Sequence, residues 1–403
     1  MATPAYDPPP VPFGLAEIAG LRAAGVSAGI KASGLPDVAL LVADRAVPVA
    51  GVFATNAFAA APVVLSRRHL ERTGGRAAAV VINSGNANAC TGDRGDEDAR
   101  LMAEHVARLV GCATEEVLVC STGVIGVTLP RERVLSGIDA AFGALATGPE
   151  ASAAFVEAIR TTDAFAKRAA AEITGSGVRV AGVCKGAGMI EPNMATMLAF
   201  IATDAACDAA ALRAMVTSAA AESFNAVHVD THASTNDTFL VLATGASPAA
   251  ASIDAVCEAV TSVARRLAWL IARDGEGATR VTTIRVTGAP DASAARDVAR
   301  RVASSALVRT ALFGRDPNWG RFVSAAGNSP HVTAAAALSC AVQGVRVFER
   351  GQPTAFDRAA LARAMGDEDV EIAIDLGTGA GAAVLMTSDL GYRYVEINAE
   401  YTT

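Results

Sequence analysis

The chain has 403 residues, with 34 lysine and arginine against 41 aspartate and glutamate side chains, and its formal net charge is −7 at pH 7. Because it has no basic surplus to displace counterions, a nucleic-acid partner is not expected. Hydrophobic residues make up 52% and charged residues 19% of the chain, which indicates a soluble globular protein. No uncharged apolar run reaches about eighteen residues, so no membrane partner is expected.

Short strand-like runs alternate with longer amphipathic stretches along the whole chain. Strands are predicted at residues 38–43, 79–83, 117–120, 178–183, 197–203, 239–243, 282–286, 370–374 and 383–386. Helices are predicted at residues 96–110, 131–145, 151–160, 209–223, 254–271, 292–303 and 353–365. The mixture predicts an α/β or α+β fold. Residues 1–12 contain three consecutive prolines and are expected to be extended and disordered.

The cellular compartment is inferred from the N-terminus and the cysteines. The first residues lack the basic and apolar regions of a secretory signal. The seven cysteines are scattered, and no pair has C-x-x-C spacing. Neither a disulfide framework nor a structural zinc site is therefore expected, and the predicted location is cytoplasmic.

Two patterns suggest other chemistry but lack the context that it requires. Gly25-Val-Ser-Ala-Gly matches a nucleophile elbow, but a turn follows it where a helix is needed. His228 and His232 have the spacing of two metal ligands on a helix. The residues between them do not favour a helix and no third ligand is evident, so we expect no metal. No Walker A sequence or complete G-x-G-x-x-G occurs.

An internal threonine offers a route to transfer chemistry in a chain with only five histidines. When backbone cleavage makes a threonine the first residue of a chain, its own α-amine can activate its hydroxyl. That amine titrates at roughly 7.7–8.0, so much of it is the free base near neutral pH. Cleavage calls for a small preceding residue and a constrained loop, and Ala195-Thr196 meets the first condition. A structural threonine before a strand is the alternative.

The residues around Thr196 resemble a known family. Lys185-Gly-Ala-Gly-Met-Ile-Glu-Pro-Asn-Met-Ala-Thr-Met is similar to the self-cleaving loop of the ornithine acetyltransferase family. Further segments resemble family motifs in the same order along the chain: Gly29-Ile-Lys-Ala-Ser-Gly, Thr55-Asn-Ala-Phe-Ala-Ala-Ala-Pro-Val, Asn83-Ser-Gly-Asn-Ala-Asn-Ala, Cys120-Ser-Thr-Gly-Val-Ile-Gly, Thr161-Thr-Asp, Ser234-Thr-Asn-Asp-Thr, Asp274-Gly-Glu-Gly-Ala-Thr, Gly314-Arg-Asp-Pro-Asn-Trp-Gly-Arg and Asn398-Ala-Glu-Tyr-Thr-Thr.

The resemblance implies a site. Thr196 corresponds to the nucleophile, Ala195–Thr196 to the bond cleaved in maturation, and Thr122 with Gly123 to the oxyanion hole. The residues matching substrate contacts are Thr162, Lys185, Thr196, Glu276, Asn398 and Thr403. The implied reaction is ping-pong acetyl transfer from N-acetylornithine to glutamate, releasing ornithine. No cofactor is implied, apart from acetyl-CoA as a possible second donor.

The resemblance also implies an architecture. It is an α/β fold with stacked sheets flanked by helices, of the N-terminal-nucleophile-like DmpA/ornithine acetyltransferase type. Cleavage would give an α chain, residues 1–195, and a β chain, residues 196–403, whose smaller C-terminal α/β domain starts at about residue 281. The expected assembly is an α2β2 heterotetramer or its dimer.

Alternatives remain open at this stage. One is an N-terminal-nucleophile amidase or aminopeptidase, another is an acetyltransferase of a different pathway, and a third is an unprocessed binding protein. The chain departs from the usual pattern at Ala164 and Ala166, where the family commonly has threonine and proline. It departs again at His232 and Ala233, where an Asp-Thr pair is more usual. These departures predict a shift in substrate preference.

Overall fold

The computed structural model describes residues 6–191 and 197–400. These residues form fifteen strands and eleven α-helices. The strands are β1 (Leu21–Val26), β2 (Val38–Phe53), β3 (Arg76–Asn86), β4 (Val117–Val124), β5 (Lys167–Glu172), β6 (Arg179–Lys185), β7 (Leu198–Thr203), β8 (Val227–His228), β9 (Thr238–Ala243), β10 (Val281–Ala289), β11 (Ser339–Val342), β12 (Val345–Glu349), β13 (Gln352–Pro353), β14 (Asp369–Asp375) and β15 (Gly381–Ser388). The helices are α1 (Ala61–Arg72), α2 (Gly92–Val110), α3 (Arg131–Gly143), α4 (Pro149–Ile159), α5 (Ala209–Glu222), α6 (Ile253–Arg273), α7 (Ala292–Ser304), α8 (Ala306–Phe313), α9 (Trp319–Gly327), α10 (Arg358–Ala364) and α11 (Tyr392–Glu400).

The first sheet has the strand order β4-β3-β2-β9-β7-β6-β5, and β1 pairs with β2 beside this path. The long strand β2 pairs with β1 and β3 along its first part and with β9 along its last part. Its register with β3 shifts between Val42 and Val47, where Asp44 and Arg45 are exposed. An irregularity of this kind bends a strand, so β2 belongs to both halves of the sheet.

The two halves of this sheet stack face to face, with helices outside them. Side chains of β2 alternate, since Leu41 lies in the core between the halves whereas Leu40 packs with α2 and α3. The other half contributes Phe200 to the shared core, and α5 and α6 cover Ile201 on its outer face. This order of layers confirms the predicted α/β class with stacked sheets flanked by helices.

The second sheet has the order β13-β12-β11-β14-β10-β15-β8. Its apolar face, which includes Ile284 and Ile372, packs mainly against α7, α8 and α9. β10 begins at Val281, but β8 comes from much earlier in the chain and pairs in parallel with β15. The loop after β8 is thereby held between the two sheets.

The segment before β1 differs from the expectation of disorder where it is described. The ring of Tyr6 lies 5.1 Å from that of Phe165 and 5.7 Å from that of Trp269, centroid to centroid. Arg266 also donates a hydrogen bond to its hydroxyl at 3.0 Å. The aromatic side chain covers apolar surface while its polar end stays paired, which the proline pattern does not reveal.

Neither a membrane-spanning helix nor a disulfide is found in residues 6–191 and 197–400. No helix in these ranges combines the length and the apolar character that crossing a bilayer requires. All seven cysteines lie in these ranges, and none forms a disulfide.

Candidate active site

The predicted oxyanion residues Thr122 and Gly123 lie in the last part of β4, where they pair with Ser84 and Gly85 of β3. Gly123 has a φ of +133°, and a β-carbon there would lie 2.3 Å from the carbonyl carbon of Gly85 on the neighbouring strand β3. Only glycine allows the two strands this approach. The side-chain amide of Asn236 donates to the carbonyl of Ser121 at 2.8 Å, so the end of β4 is also held from the loop before β9.

Lys185 is the last residue of β6 and is only 4% exposed. Burial lowers the pKa of its ammonium, and the charge of Lys167 acts in the same direction, although the carboxylate of Asp163 opposes both. The Asp163 carboxylate also accepts a hydrogen bond from the backbone N–H of Gly186 at 2.7 Å. The end of β6 is therefore fixed by a buried carboxylate, which leaves Lys185 as a positioned cation.

Glu276 lies just after α6, and its backbone N–H donates to the carbonyl of Ala187 at 2.9 Å. Its carboxylate packs against Gly188, where a β-carbon would come within 2.7 Å of Oε1. Asn398 of α11 donates from Nδ2 to Oε2 at 2.8 Å. Three separated segments thus orient one carboxylate.

These residues meet at one cavity of about 210 Å³, which is smaller than the roughly 300–1,000 Å³ of sites for drug-sized ligands. Its lining comprises Thr122, Gly123, Thr161, Thr162, Lys185, Ala187, Gly188, Met189, Asp230, His232, Glu276, Tyr394 and Asn398. Six of the nine predicted site residues are among them. The other three, Ala195, Thr196 and Thr403, lie outside the described residues, and the catalytic and binding roles of all nine stay predictions.

Three titratable lining residues were not predicted as site residues: Asp230, His232 and Tyr394. Burial, with the nearby charges of Asp230 and Glu276, raises the pKa of Tyr394, so the phenol keeps its proton and can donate. The only sequence signal among the three was the unusual identity of His232. Asp230 and Tyr394 reach the cavity through β8 pairing and α11 packing, which the local pattern does not contain.

Asp230 shapes the loop that brings His232 to the cavity. Its carboxylate accepts hydrogen bonds from the backbone N–H groups of Met189 at 2.6 Å, Ile190 at 2.8 Å and His232 at 3.2 Å. Thr231 has a φ of +64°, a left-handed conformation that is an outlier for a β-branched residue. Such strain costs about 1–3 kcal/mol, and the Asp230 bonds hold the loop in spite of it.

His228 has a different position from His232. It is fully buried in β8, and its Nδ1 lies 2.7 Å from Oε2 of Glu191. Arg300 of α7 donates to the other oxygen of Glu191 at 2.6 Å. Burial acts to raise the pKa of Glu191, but His228 and Arg300 outweigh it and hold that pKa below its ordinary value. Glu191, the residue before position 192, is thus anchored to a strand and a helix of the second sheet unit.

The described chain resumes at Met197, directly after the predicted nucleophile. β7 and β9 are parallel, and the register Leu198↔Thr238 places Asp237 beside Met197. The backbone N–H of Met197 donates to Oδ1 of Asp237 at 3.3 Å. Burial raises the pKa of Asp237 well above its usual value, which favours the protonated form of this carboxyl beside Met197.

Among residues 6–191 and 197–400, no group of three histidine, cysteine, aspartate or glutamate side chains could hold a metal ion. His228 is buried beside Glu191, whereas His232 lines the cavity. The site therefore offers oriented charges and backbone donors around a small cavity.

Comparison with known proteins identifies the family. The model of the ArgJ family matches residues 22–403. The chain belongs to the ArgJ family. This confirms the resemblance inferred from the motifs, and with it the expectation of an acyltransferase.

Relatives of this ArgJ-family chain match it over nearly its whole length. The arginine biosynthesis bifunctional protein ArgJ of Symbiobacterium thermophilum is 47% identical over 400 residues, covering 97% of this chain and 98% of the relative. The protein of the same name from Rhodopirellula baltica is 46% identical over 394 residues, covering 95% and 96%.

Two solved chains are similar to parts of it. A chain of ArgJ from Bacillus halodurans is 33% identical with a TM-score of 0.48 and covers 50% of this chain and 98% of its own length. A chain of the ornithine acetyltransferase of Mycobacterium tuberculosis, solved with ornithine, is 37% identical with a TM-score of 0.43 and covers 46% and 96%.

Proposed function

We propose that this protein is a self-processed glutamate N-acetyltransferase of arginine biosynthesis. It moves acetyl from N-acetylornithine to glutamate through an acetyl ester on Thr196. The observation that carries the proposal is the small cavity where Lys185, Glu276 and the Thr122–Gly123 end of β4 converge. Lys185 pairs in register with Leu198, two residues after Thr196.

Maturation creates the catalytic base. The hydroxyl oxygen of Thr196 attacks the carbonyl carbon of Ala195, the peptide C–N bond breaks, and the resulting ester is hydrolysed by water. The products are a carboxylate on Ala195 and a free α-amine on Thr196, which then serves as the base for its own hydroxyl. Asp237, a buried carboxyl that accepts a hydrogen bond from the backbone N–H of Met197, helps to fix this position.

Transfer proceeds in two balanced half-reactions. The Thr196 hydroxyl oxygen bonds to the acetyl carbon of N-acetylornithine, and its proton passes through the α-amine to the departing ornithine nitrogen. In the second half, the glutamate nitrogen bonds to the acetyl carbon, the ester C–O bond breaks, and a proton returns to Thr196. Thr122 and Gly123 stabilise the oxyanion in both halves, where one such donor contributes about a hundredfold or more in rate.

The binding roles follow from charge. Lys185 holds the α-carboxylate that both substrates share. Glu276, oriented by Asn398, pairs with the side-chain ammonium of ornithine, and Thr162 adds a polar contact on the same wall. Thr403, from the end of the chain beyond α11, is the remaining substrate contact.

The proposal extends to the assembly, the location and the second acetyl donor of the enzyme. The α and β chains form an α2β2 heterotetramer or its dimer in the cytoplasm. No cofactor takes part in the transfer. Acetyl-CoA is a second donor, since the relatives are named bifunctional proteins.

The test combines an intact-mass measurement with an assay of acetyl transfer. Under denaturing conditions, intact mass of the wild type is expected to show two fragments, residues 1–195 and 196–403. N-acetylornithine with glutamate should yield N-acetylglutamate with ping-pong kinetics, and acetyl-CoA with glutamate should yield the same product. The variant Thr196→Ala should stay full-length and inactive, while Thr217→Ala, on the exposed face of α5, should match the wild type.

Other outcomes would favour an amidase or a binding protein. Acetate release that does not depend on glutamate indicates an amidase. A wild-type chain that stays uncleaved and transfers nothing contradicts the proposal and favours a binding protein.

A further inference from the structure

The acetyl group that the enzyme transfers needs room for its methyl. This inference rests on the proposed function, in which the acetyl carbonyl oxygen faces Thr122 and Gly123. In the same arrangement the α-carboxylate of the donor binds Lys185, and its side-chain ammonium binds Glu276. The methyl forms no hydrogen bond, so it is stabilised only where it meets an apolar part of the wall.

The cavity has one apolar stretch of wall, in the loop after β6. Two lining side chains have neither a charge nor a hydrogen-bond donor, those of Ala187 and Met189. β6 and β7 pair up to Lys185↔Leu198, so this loop leaves the first sheet at the edge where Met197 leads into β7. The apolar wall therefore lies at the edge where the chain beyond the proposed nucleophile begins.

Met189 is held in one orientation by its backbone. Its φ is +56°, in the left-handed region that few residues other than glycine adopt. Its N–H donates to Oδ2 of Asp230 at 2.6 Å. The next residue, Ile190, is fully buried, and its carbonyl accepts a hydrogen bond from the backbone N–H of Val229 at 2.8 Å. These contacts fix the loop so that the half-buried side chain of Met189 lines the cavity.

Ala187 borders the same wall but cannot limit the length of an acyl chain by itself. It is 2% exposed, and its side chain is a single methyl. The side chain of Met189 is long and unbranched, and such side chains fill irregular gaps in apolar surfaces. Gly188, between the two, faces the carboxylate of Glu276. The methylenes of ornithine are therefore the other candidate for contact with Met189.

We propose that Met189 determines the length of the acyl group, by closing the cavity beyond the methyl of the acetyl group. The cavity of about 210 Å³ also has to hold the amino-acid part of the donor, so a longer acyl chain meets the Met189 side chain. An apolar pocket discriminates against one additional methylene by about 10–200-fold. N-propionylornithine is therefore expected to be a poor donor and N-butyrylornithine a poorer one.

The test compares acyl donors in the processed enzyme, with glutamate as the acceptor. For Met189→Ala, the ratio of kcat/KM for N-propionylornithine to that for N-acetylornithine should rise about tenfold or more. Met189→Gly, which suits the left-handed backbone, should show the same rise. Met189→Leu, of similar volume, should keep the ratio of the wild type. Arg350→Ala, at an exposed left-handed residue of the second sheet unit, is the matched control.

A ratio measured within one variant does not depend on how much of that variant is folded or processed. An unchanged acyl ratio in a Met189→Ala or Met189→Gly enzyme that still transfers acetyl overturns the assignment. It is also overturned if these variants instead improve the use of Nα-acetyllysine, whose side chain is one methylene longer, because Met189 would then line the amino-acid stem. A wild-type enzyme that transfers no acetyl fails at the proposed function instead.

Discussion

Gly188 leaves room for the carboxylate of Glu276 because it has no side chain. For Gly188→Ala, a β-carbon would lie 2.7–2.9 Å from the carboxyl atoms of Glu276. The flexible carboxylate would move and lose its bond from Asn398. We expect the KM for N-acetylornithine to rise about tenfold, with little change in Tm, since a bond to a charged group contributes about 1.5–3 kcal/mol.

Gly143 supplies the control for this change. It ends α3, and a β-carbon there would meet nothing within 4 Å. Gly143→Ala should leave the KM unchanged. If Gly188→Ala binds N-acetylornithine normally in steady-state assays, Glu276 is not the partner of the ammonium.

At the scale of residues, the sequence is most informative where a motif constrains the backbone. The motif that contains Thr122 and Gly123 lies at the end of β4, where the close approach of β3 requires glycine at position 123. Gly25, rejected as a nucleophile elbow, lies inside β1, where a β-carbon would be 1.9 Å from the carbonyl oxygen of Ala154. His232 was noticed only as a departure. Its place in the cavity depends on β8 pairing with β15, a long-range contact that no local pattern carries.

At the scale of elements, a buried ion cluster joins β5, the loop before it and the end of α6. Lys167 donates to Asp163 and Asp274, and both the ammonium and the Asp163 carboxylate are fully buried. Burial raises the pKa of Asp274 to about 6, although Lys167 opposes the shift. Burial also acts to raise the pKa of Asp163, but Lys167 and Lys185 hold it well below its usual range.

Lys167→Met would leave two buried carboxyl groups without their shared cation. We expect a loss of about 3–5 kcal/mol in the free energy of unfolding at pH 7, the usual cost of an unpaired buried charge. Without Lys167 both pKa values rise, so the folded state keeps protons that the unfolded state releases above about pH 4. The loss should therefore be smaller at pH 5 than at pH 7.

Urea unfolding at the two pH values measures this effect. Arg168 is the neighbouring, half-buried residue of β5. Arg168→Met should change the free energy of unfolding by about 0.5 kcal/mol or less at both pH values. If Lys167→Met lowers the free energy of unfolding equally at pH 5 and pH 7, the assignment of buried, ionised carboxylates is contradicted.

The same cluster shows why the sequence did not predict some strands and helices. β5 has the sequence Lys-Arg-Ala-Ala-Ala-Glu, which lacks the alternation of a strand because ion pairs, not apolar contacts, bury Lys167. α11 has no buried residue and hence no apolar stripe. The helix predicted at residues 353–365 starts only at Arg358, because Gln352–Pro353 pairs with β12. Strong apolar runs, such as those of β3 and β7, were all placed correctly.

At the scale of the whole molecule, the cavity depends on both sheets. The first sheet supplies Lys185 and, at the end of β4, Thr122 and Gly123, whereas His232 follows β8 on the edge of the second sheet. Arg300 of α7 reaches across to Glu191, and Arg273 of α6 donates to Glu368 at 2.8 Å. Packing of the two units therefore determines the shape of the site.

The sheet topology also determines the fate of the two chains after the proposed cleavage. β7 and β9 follow residue 196, yet they lie side by side in the first sheet, between β2 and β6, which both precede it. β6 and β7 pair from Val180↔Thr203 to Lys185↔Leu198, and β2 and β9 from Val49↔Leu242 to Phe53↔Thr238. Separation of the chains would remove the two central strands and expose the shared core.

We therefore expect the cleaved chains to remain together as one folded unit. A tag at the C-terminus should retain the untagged chain of residues 1–195 through a wash with 1 M salt, which screens exposed ion pairs but does not weaken apolar burial. Guanidinium chloride at a concentration that unfolds the protein should release that chain. Release of the chain and loss of the folded structure should have the same transition midpoint. Release in the salt wash, or a midpoint below that of unfolding, would mean that strand pairing across the cut does not hold the enzyme together.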